Sequence, residues 1–410
     1  MTDGRPVAED VGEPPFALRL VPHALVASMG YVVFVVAGLP DLLTARLDIG
    51  LAAFGLLTSA PLGAFVLSQP IASWLADRYP TTRILLWTAA IHVVLAVLLD
   101  LPRTFEVLVG LRTLWGMVAG LVLSVGATHV ARLRRGGAGT LEQGIFGGML
   151  TLGGAVGFLL GGPVVAATGG FGLHAAGVVP GLLALAIAWR YRSDERTAPA
   201  AVPDASDVDG DQSSATDTLA STTNPTVLLA AVVYVAIIGS YVTLSTFITA
   251  FFDDLGIPGP VNALVLLGAT FGRVAGGVSV WRFPIDDVGL IGWSTLVAAG
   301  GFLALSLGPG NTLLIVLPFV VMIALSVPFG AVYNVAAGAT GAEGTALATV
   351  VAAGNIGALV LPPIAGAVRA ATGDYASAFV LLAALNGIAV LSAVAMAGEG
   401  VTDRIIPSKT

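Results

Sequence analysis

Ser68–Pro80 reads SQPIASWLADRYP, and Gly272–Pro284 reads GRVAGGVSVWRFP. Each closes a long apolar run, and each ends on an arginine two residues before a proline: Arg78 and Pro80 in the first, Arg282 and Pro284 in the second. Laid over one another, the two stretches also set Gln69 on Arg273. A second pair repeats the relation: counted from Glu142 and Glu343, Gly153-Gly154 fall on Gly354-Asn355, and both are followed by proline-bearing sequence. Two matching halves of the same topology are the parallel repeat found in membrane carriers.

The sequence around these stretches is mostly apolar. Of 410 residues, 56% are hydrophobic and 10% charged, with a mean hydropathy of +0.92. Soluble domains run near 45–50% apolar and about 25% charged. A globule of the present composition could not cover its surface with polar groups, which argues against a soluble enzyme. Apolar runs bounded by charge, proline or glycine predict twelve membrane spans. The first six are Leu18–Leu39, Leu51–Leu75, Arg83–Leu101, Phe105–Val130, Glu142–Ala167 and Phe171–Tyr191. The second six are Pro225–Phe252, Gly259–Arg282, Val288–Leu307, Thr312–Ala337, Gly344–Ala370 and Tyr375–Ala397. Between the sets, Arg192–Asn224 carries five aspartates from Asp204 to Asp217 and no apolar run, and is expected to be a solvated, flexible connector. The expected organisation is therefore a six-helix bundle over residues 1–191, an acidic linker over 192–224 and a second six-helix bundle over 225–410.

Orientation follows from the basic residues. With both termini in the cytoplasm, inner segments hold 13 of the 18 arginines and lysines, outer loops hold Arg46, Arg103 and Arg369, and Arg112 and Arg273 lie within spans. The N-terminal MTDGRPVAEDVGEPPF is acidic where a secretory signal would be basic, so the first apolar run reads as a retained membrane helix in the plasma membrane. There is no cysteine, which excludes disulfides and thiolate chemistry, and four scattered histidines offer no metal cluster. The net charge of −7 argues against nucleic-acid binding. No cofactor is expected.

Two motifs then carry a resemblance. After the second span the chain reads Ser73-Trp-Leu-Ala-Asp77-Arg78-Tyr-Pro80-Thr-Thr-Arg83. In the fourth span it reads Arg112-Thr-Leu-Trp115-Gly116-Met-Val-Ala-Gly120. These resemble the Gly-x-Leu-Ala-Asp-Arg-x-Gly-Arg-Arg/Lys and Arg-x-x-Gln-Gly-x-Gly motifs of the major facilitator superfamily. Asp77, Arg78, Arg83 and Arg112 match, Ser73 and Pro80 replace two glycines, and Trp115 replaces the glutamine. A narrower likeness is to the nitrate/nitrite porter branch. Arg273 with Gly276-Gly277, and Gly354-Asn355-Ile-Gly357, are similar to that branch's arginine and Gly-Asn signatures. Gln69 stands where the branch has a second arginine.

The resemblance implies an all-α membrane protein of twelve helices in two pseudo-symmetric bundles, transporting a small solute by alternating access. Within that frame Arg273 is the sharpest candidate. At about 1.5 Å per residue it lies on the order of 20 Å from one end of its span and 13 Å from the other. A charge at that depth costs roughly 2.5–3.5 kcal/mol, so it should face a cavity or a partner. Its guanidinium suits an anion, with Gln69 at the mirror position and Asn355 as further donors. Arg112 is a fourth binding candidate, and its alternative is an anchor near the outer rim. Asp77, Arg78, Arg83, Glu142 and Glu343 are expected to gate the inner side, the two glutamates favoured at helix N-termini. Asn334 and Asn386 are further polar groups in the spans, and His92 is read as a packed core histidine. Mid-span carboxylates are absent from the sequence, whereas exporters of cationic drugs resemble one another in carrying one. A small anion, nitrate-like or a carboxylate, is the expected cargo, moved by a monomer together with a coupling proton or ion. The alternatives are an exporter of hydrophobic compounds and, with no signalling domain to support it, a non-transporting sensor.

Overall fold

The computed structural model describes residues 14–76, 78–134, 136–198, 222–257, 260–283, 286–308, 311–340 and 343–405. Among them the secondary structure is entirely helical. The first half comprises α1 (Phe16–Phe34, continued by a 3-10 turn Val35–Gly38), α2 (Pro40–Leu47), α3 (Leu51–Ala76), α4 (Thr81–Leu98), α5 (Phe105–Leu133), α6 (Gly136–Thr168) and α7 (Val179–Arg190). The second comprises α8 (Pro225–Asp254), α9 (Pro260–Arg282), α10 (Asp287–Ser306), α11 (Asn311–Ser326), α12 (Phe329–Gly338), α13 (Glu343–Thr372) and α14 (Ala376–Ile405). Among the described residues, eleven helical stretches are long and apolar enough to cross a membrane, and Ala175–Arg190 is a shorter twelfth. All twelve correspond to spans expected from the apolar pattern.

The departures from that pattern have local causes. A short helix, α2, sits where a plain loop was expected. Pro40 opens it, Asp41 lies in its first turn, Arg46 in its last, and Asp48 closes it in the left-handed region at φ 52°. The sixth crossing is shorter than Phe171–Tyr191, because Gly169, Gly170 and Gly172 adopt positive φ and turn the chain before a 3-10 turn at Ala175–Val178. The tenth is broken between α11 and α12 at Pro328, which has no N–H to continue the ladder. The start of the acidic connector is docked rather than loose. Thr197 is fully buried, its carbonyl accepts from Arg132 Nη1 at 2.8 Å, and its hydroxyl accepts from Thr82 at 3.0 Å. Arg132 Nη2 also donates to the Ala76 carbonyl that ends α3. Residues 199–221 lie outside the described part.

Within the first half α3 packs on α5, α1 on α6 and α7, and α4 on α5 and α7. Within the second, α13 packs on α8, α10 on α14, and α9 on α11. The halves meet along two principal seams, α3 with α13 and α6 with α9. The repeat that lays the second span over the eighth and the fifth over the eleventh turns one seam into the other, so the duplication seen in sequence is also the symmetry of the contact.

Contacts between the halves gather toward the end remote from the arginine-rich loops. Thr58 and Thr246 hydroxyls pair at 3.1 Å, and Ser59 donates to the Leu359 carbonyl at 3.1 Å. Phe34 meets Tyr241 edge-on and Phe54 meets Phe247, with ring centres 6.0 and 6.1 Å apart. Gly55 lets α3 touch the Pro362 backbone: an added Cβ would lie 2.7 Å from its carbonyl. Nearer mid-helix, Thr151 and Thr270 pair across the second seam at 2.7 Å.

Candidate functional site

Arg273 lies on that second seam. Its Nη1 donates to the Gly147 carbonyl of α6 at 3.0 Å, crossing from one half to the other. Its guanidinium carbon stands 4.3 Å from the centre of the Phe329 ring and 5.2 Å from that of Tyr241. The Phe329 ring packs edge-on to Tyr234, and the hydroxyl of Tyr234 hydrogen-bonds that of Tyr333. Four aromatic residues therefore build the wall behind one cation. Cation–π contacts of this kind stabilise a desolvated guanidinium by roughly 1–2 kcal/mol each. Among the described residues no carboxylate pairs with Arg273, and its Nε is buried without a hydrogen-bond partner. The arrangement leaves a positive charge and a free donor inside a membrane bundle, a combination that favours an anion or an acceptor oxygen.

The other expected binding residues have partners of their own. Gln69 accepts from the Ser124 hydroxyl through Oε1 and donates from Nε2 to Phe65 O of its own helix at 3.1 Å, so it is held against α5. Asn355 donates to Val351 O of its own helix at 2.9 Å and is part-buried. Its neighbour Gly354 packs on Tyr234, one of the four aromatics. No hydrogen bond among the described residues links Arg273 to either side chain.

Arg112 is placed differently from its expected role, and the reason is the backbone. Pro61 has no N–H, so the Leu57 carbonyl four residues earlier loses its helical donor. Arg112 Nε supplies the missing bond at 2.8 Å. Its Nη2 donates to Val33 O at 2.9 Å, where α1 tightens into the 3-10 turn, and its Nη1 reaches Val32 O at 3.4 Å and His174 Nε2 at 3.3 Å. A guanidinium can only donate, so Nε2 of His174 accepts and its Nδ1–H donates to Asp100 Oδ1 at 2.7 Å. Fully buried and surrounded by acceptors of its own half, Arg112 repairs two broken helices. It does not join Arg273.

His92 has the packing role read for it from the sequence. Trp115 Nε1 can only donate, and it bonds His92 Nδ1 at 3.0 Å. The Nε2–H therefore donates to Ser28 Oγ at 2.8 Å, and the Ser28 hydroxyl in turn donates to Gly177 O at 2.6 Å. Asn386 donates to Ser240 Oγ and Leu382 O inside the second half, and Asn334 donates to Asp287.

Among the described residues, the expected gate residues Arg78, Arg83 and Glu142 make no hydrogen bond or ion pair with the second half. Arg78, in the turn after α3, stacks on Trp74 of that helix at 4.6 Å and donates to the Trp74 carbonyl. Glu142 accepts from both Nε and Nη2 of Arg19 at 3.2 and 3.1 Å, with Arg134 Nε 3.5 Å away, all in the first half. Arg83 lines an outer groove beside Trp87, Trp189 and Arg192. Asp77 and the side chain of Glu343 lie outside the described residues.

The aromatic wall escaped the reading of the sequence, although its spacing is visible there. Tyr234 and Tyr241 are seven residues apart, two helical turns, and Phe329 and Tyr333 are four apart. Each pair shares one face of its helix.

The comparisons agree with this architecture. The pattern of the Major Facilitator Superfamily matches residues 21–344. The fold is similar to two crystal structures of a bacterial homolog to the human lysosomal transporter Spinster, both inward-facing. The unoccupied form aligns at 17% identity with a TM-score of 0.69, and the occupied form at 18% with 0.67. Each alignment covers 97% of this chain and 100% of the other. No curated protein matches the sequence. Eleven membrane-length apolar helices and a shorter twelfth among the described residues, with the superfamily's pattern running through most of them, make this a multi-pass membrane protein that belongs to the Major Facilitator Superfamily.

Proposed function

We propose that this chain is a secondary active transporter of a small anion, nitrate-like or a carboxylate, bound at Arg273 and moved by rocking residues 1–191 against residues 225–410. The observation that carries this reading is the guanidinium of Arg273, which has no carboxylate partner among the described residues and keeps a buried Nε without an acceptor. An anion would meet that charge and displace the Gly147 carbonyl from Nη1, so binding and the contact between the halves would compete for one group. Gln69 and Asn355, each now bonded within or beside its own helix, supply amides that can turn toward the cargo. The carrier is a plasma-membrane monomer with both termini in the cytoplasm and couples to a proton or ion.

The test is flux into proteoliposomes with nitrate, small carboxylates and a hydrophobic dye. Anion flux that Arg273→Gln abolishes at unchanged membrane insertion supports the reading. Dye efflux without anion flux overturns it in favour of an exporter of hydrophobic compounds, and full anion flux by the variant removes Arg273 from the site.

A further inference from the structure

The outer face of the first half carries a second arginine-bearing site, unrelated to the cargo. Helices α4 and α7 pack on each other and on α1 and α5, and neither makes a principal contact with the second half. The face of α4 turned away from the bundle presents Trp87, Ile91 and Val94, at 64, 46 and 58% exposure, a stripe at helical spacing. The matching face of α7 presents Val179, Leu182, Leu183 and Trp189. A stripe this apolar, exposed on a membrane protein, lies against acyl chains.

Both stripes end in the same way and at the same level. On α4, which runs away from the arginine-rich end, Arg83 stands one turn before Trp87. On α7, which runs toward that end, Arg192 follows Trp189 by three residues. Indoles at this height mark the boundary between hydrocarbon and headgroups. The four side chains, with Leu86 and Ser193, line a groove of about 320 Å³. Arg192 stacks on the Trp189 ring at 4.5 Å and donates to the Trp189 carbonyl at 2.8 Å, which holds it at the rim. Neither arginine pairs with a carboxylate among the described residues. Two uncompensated guanidiniums, a serine hydroxyl and two indoles thus close the top of a two-helix acyl track.

We infer that this groove binds the headgroup of an anionic phospholipid, with the phosphodiester between Arg83 and Arg192 and the chains along the α4 and α7 stripes. Arginine forks match phosphate oxygens bidentately, and each basic residue at the surface strengthens binding of an anionic lipid several-fold. A zwitterionic lipid of the same chains offers a choline that the two cations repel.

The full-length protein, purified and lipid-stripped, can be titrated with phosphatidylglycerol or phosphatidylcholine and the bound lipid counted by native mass spectrometry. Phosphatidylglycerol should bind preferentially, and R83A/R192A should weaken it roughly 30-fold. The double variant R103A/R282A removes the same charge from exposed positions elsewhere and should bind as the wild type does. A second measurement needs no arginine variant. Phosphatidylglycerol brominated on its chains should quench tryptophan fluorescence more than brominated phosphatidylcholine, and the excess should vanish in W87F/W189F. Equal binding or quenching by the two lipids overturns the proposal, as does full binding by R83A/R192A. Displacement of the lipid by millimolar inorganic phosphate would make this a free-phosphate site and would also overturn it.

Discussion

Replacing Arg112 by leucine separates a structural arginine from a substrate-binding one. In the structure its guanidinium serves the carbonyls of Leu57, Val33 and Val32, at 2.8, 2.9 and 3.4 Å, and the ring of His174. Leucine fills much of the volume and donates nothing. Each buried carbonyl left without a donor costs about 1–3 kcal/mol, with Val32 at the low end because its bond is long. Local adjustment of the 3-10 turn at Val35–Gly38 recovers part of this, which leaves a loss of about 3–6 kcal/mol. For a half of this size that corresponds to a fall in melting temperature on the order of 10 °C in detergent. The assay pairs thermal unfolding with anion-induced stabilisation of the surviving folded protein. The melting temperature should drop, while the anion concentration giving half the stabilisation should stay as in the wild type. A variant that melts within about 2 °C of wild type, or that keeps its stability and loses anion binding, would refute the assignment and return Arg112 to the cargo site.

The complementary variant, Arg273→Gln, should lose anion-induced stabilisation by a factor of roughly 10–100, as expected for charge-assisted hydrogen bonds, while its unliganded melting temperature moves by only a few degrees. Gly55→Val should wedge the seam with α13 open, because the new Cβ meets backbone 2.7 Å away that cannot yield. Overpacking of about 1–3 kcal/mol shifts a two-state equilibrium by roughly 5- to 150-fold. The chain has no cysteine, so Thr58→Cys provides a unique label at that seam, and its reaction with an impermeant maleimide should speed up accordingly in the Gly55→Val background. An unchanged labelling rate would show that the seam is not a moving contact.

Much of the architecture was legible from the sequence because the membrane leaves few options. Backbone must be satisfied internally in lipid, so each long apolar run had to be a helix, and the Arg78/Arg282 and Glu142/Glu343 registers located the repeat. The depth of Arg273 was legible for the same reason. It stands twelve residues beyond Val261 and nine before Arg282, well inside the run. Its surroundings were not legible. The wall of Tyr234, Tyr241, Phe329 and Tyr333 comes from two helices whose rotation about their axes no single-sequence pattern fixes. Depth alone also misleads for Arg112, because the deciding fact is a missing N–H on another helix at Pro61. The gate residues share a motif but not a direction, since Arg78 and Arg83 lie on opposite sides of the Pro80 turn and reach different neighbours.

Pro61 and Arg112, fifty-one positions apart, are joined through one carbonyl, that of Leu57. Restoring an amide at position 61 lets α3 close its own ladder over Leu57, and the guanidinium there becomes redundant. Pro61→Ala should therefore soften the damage of Arg112→Leu, a favourable coupling in a double-mutant cycle. A lineage that straightens this helix would be free to let the arginine drift, whereas one that keeps the kink has no such licence.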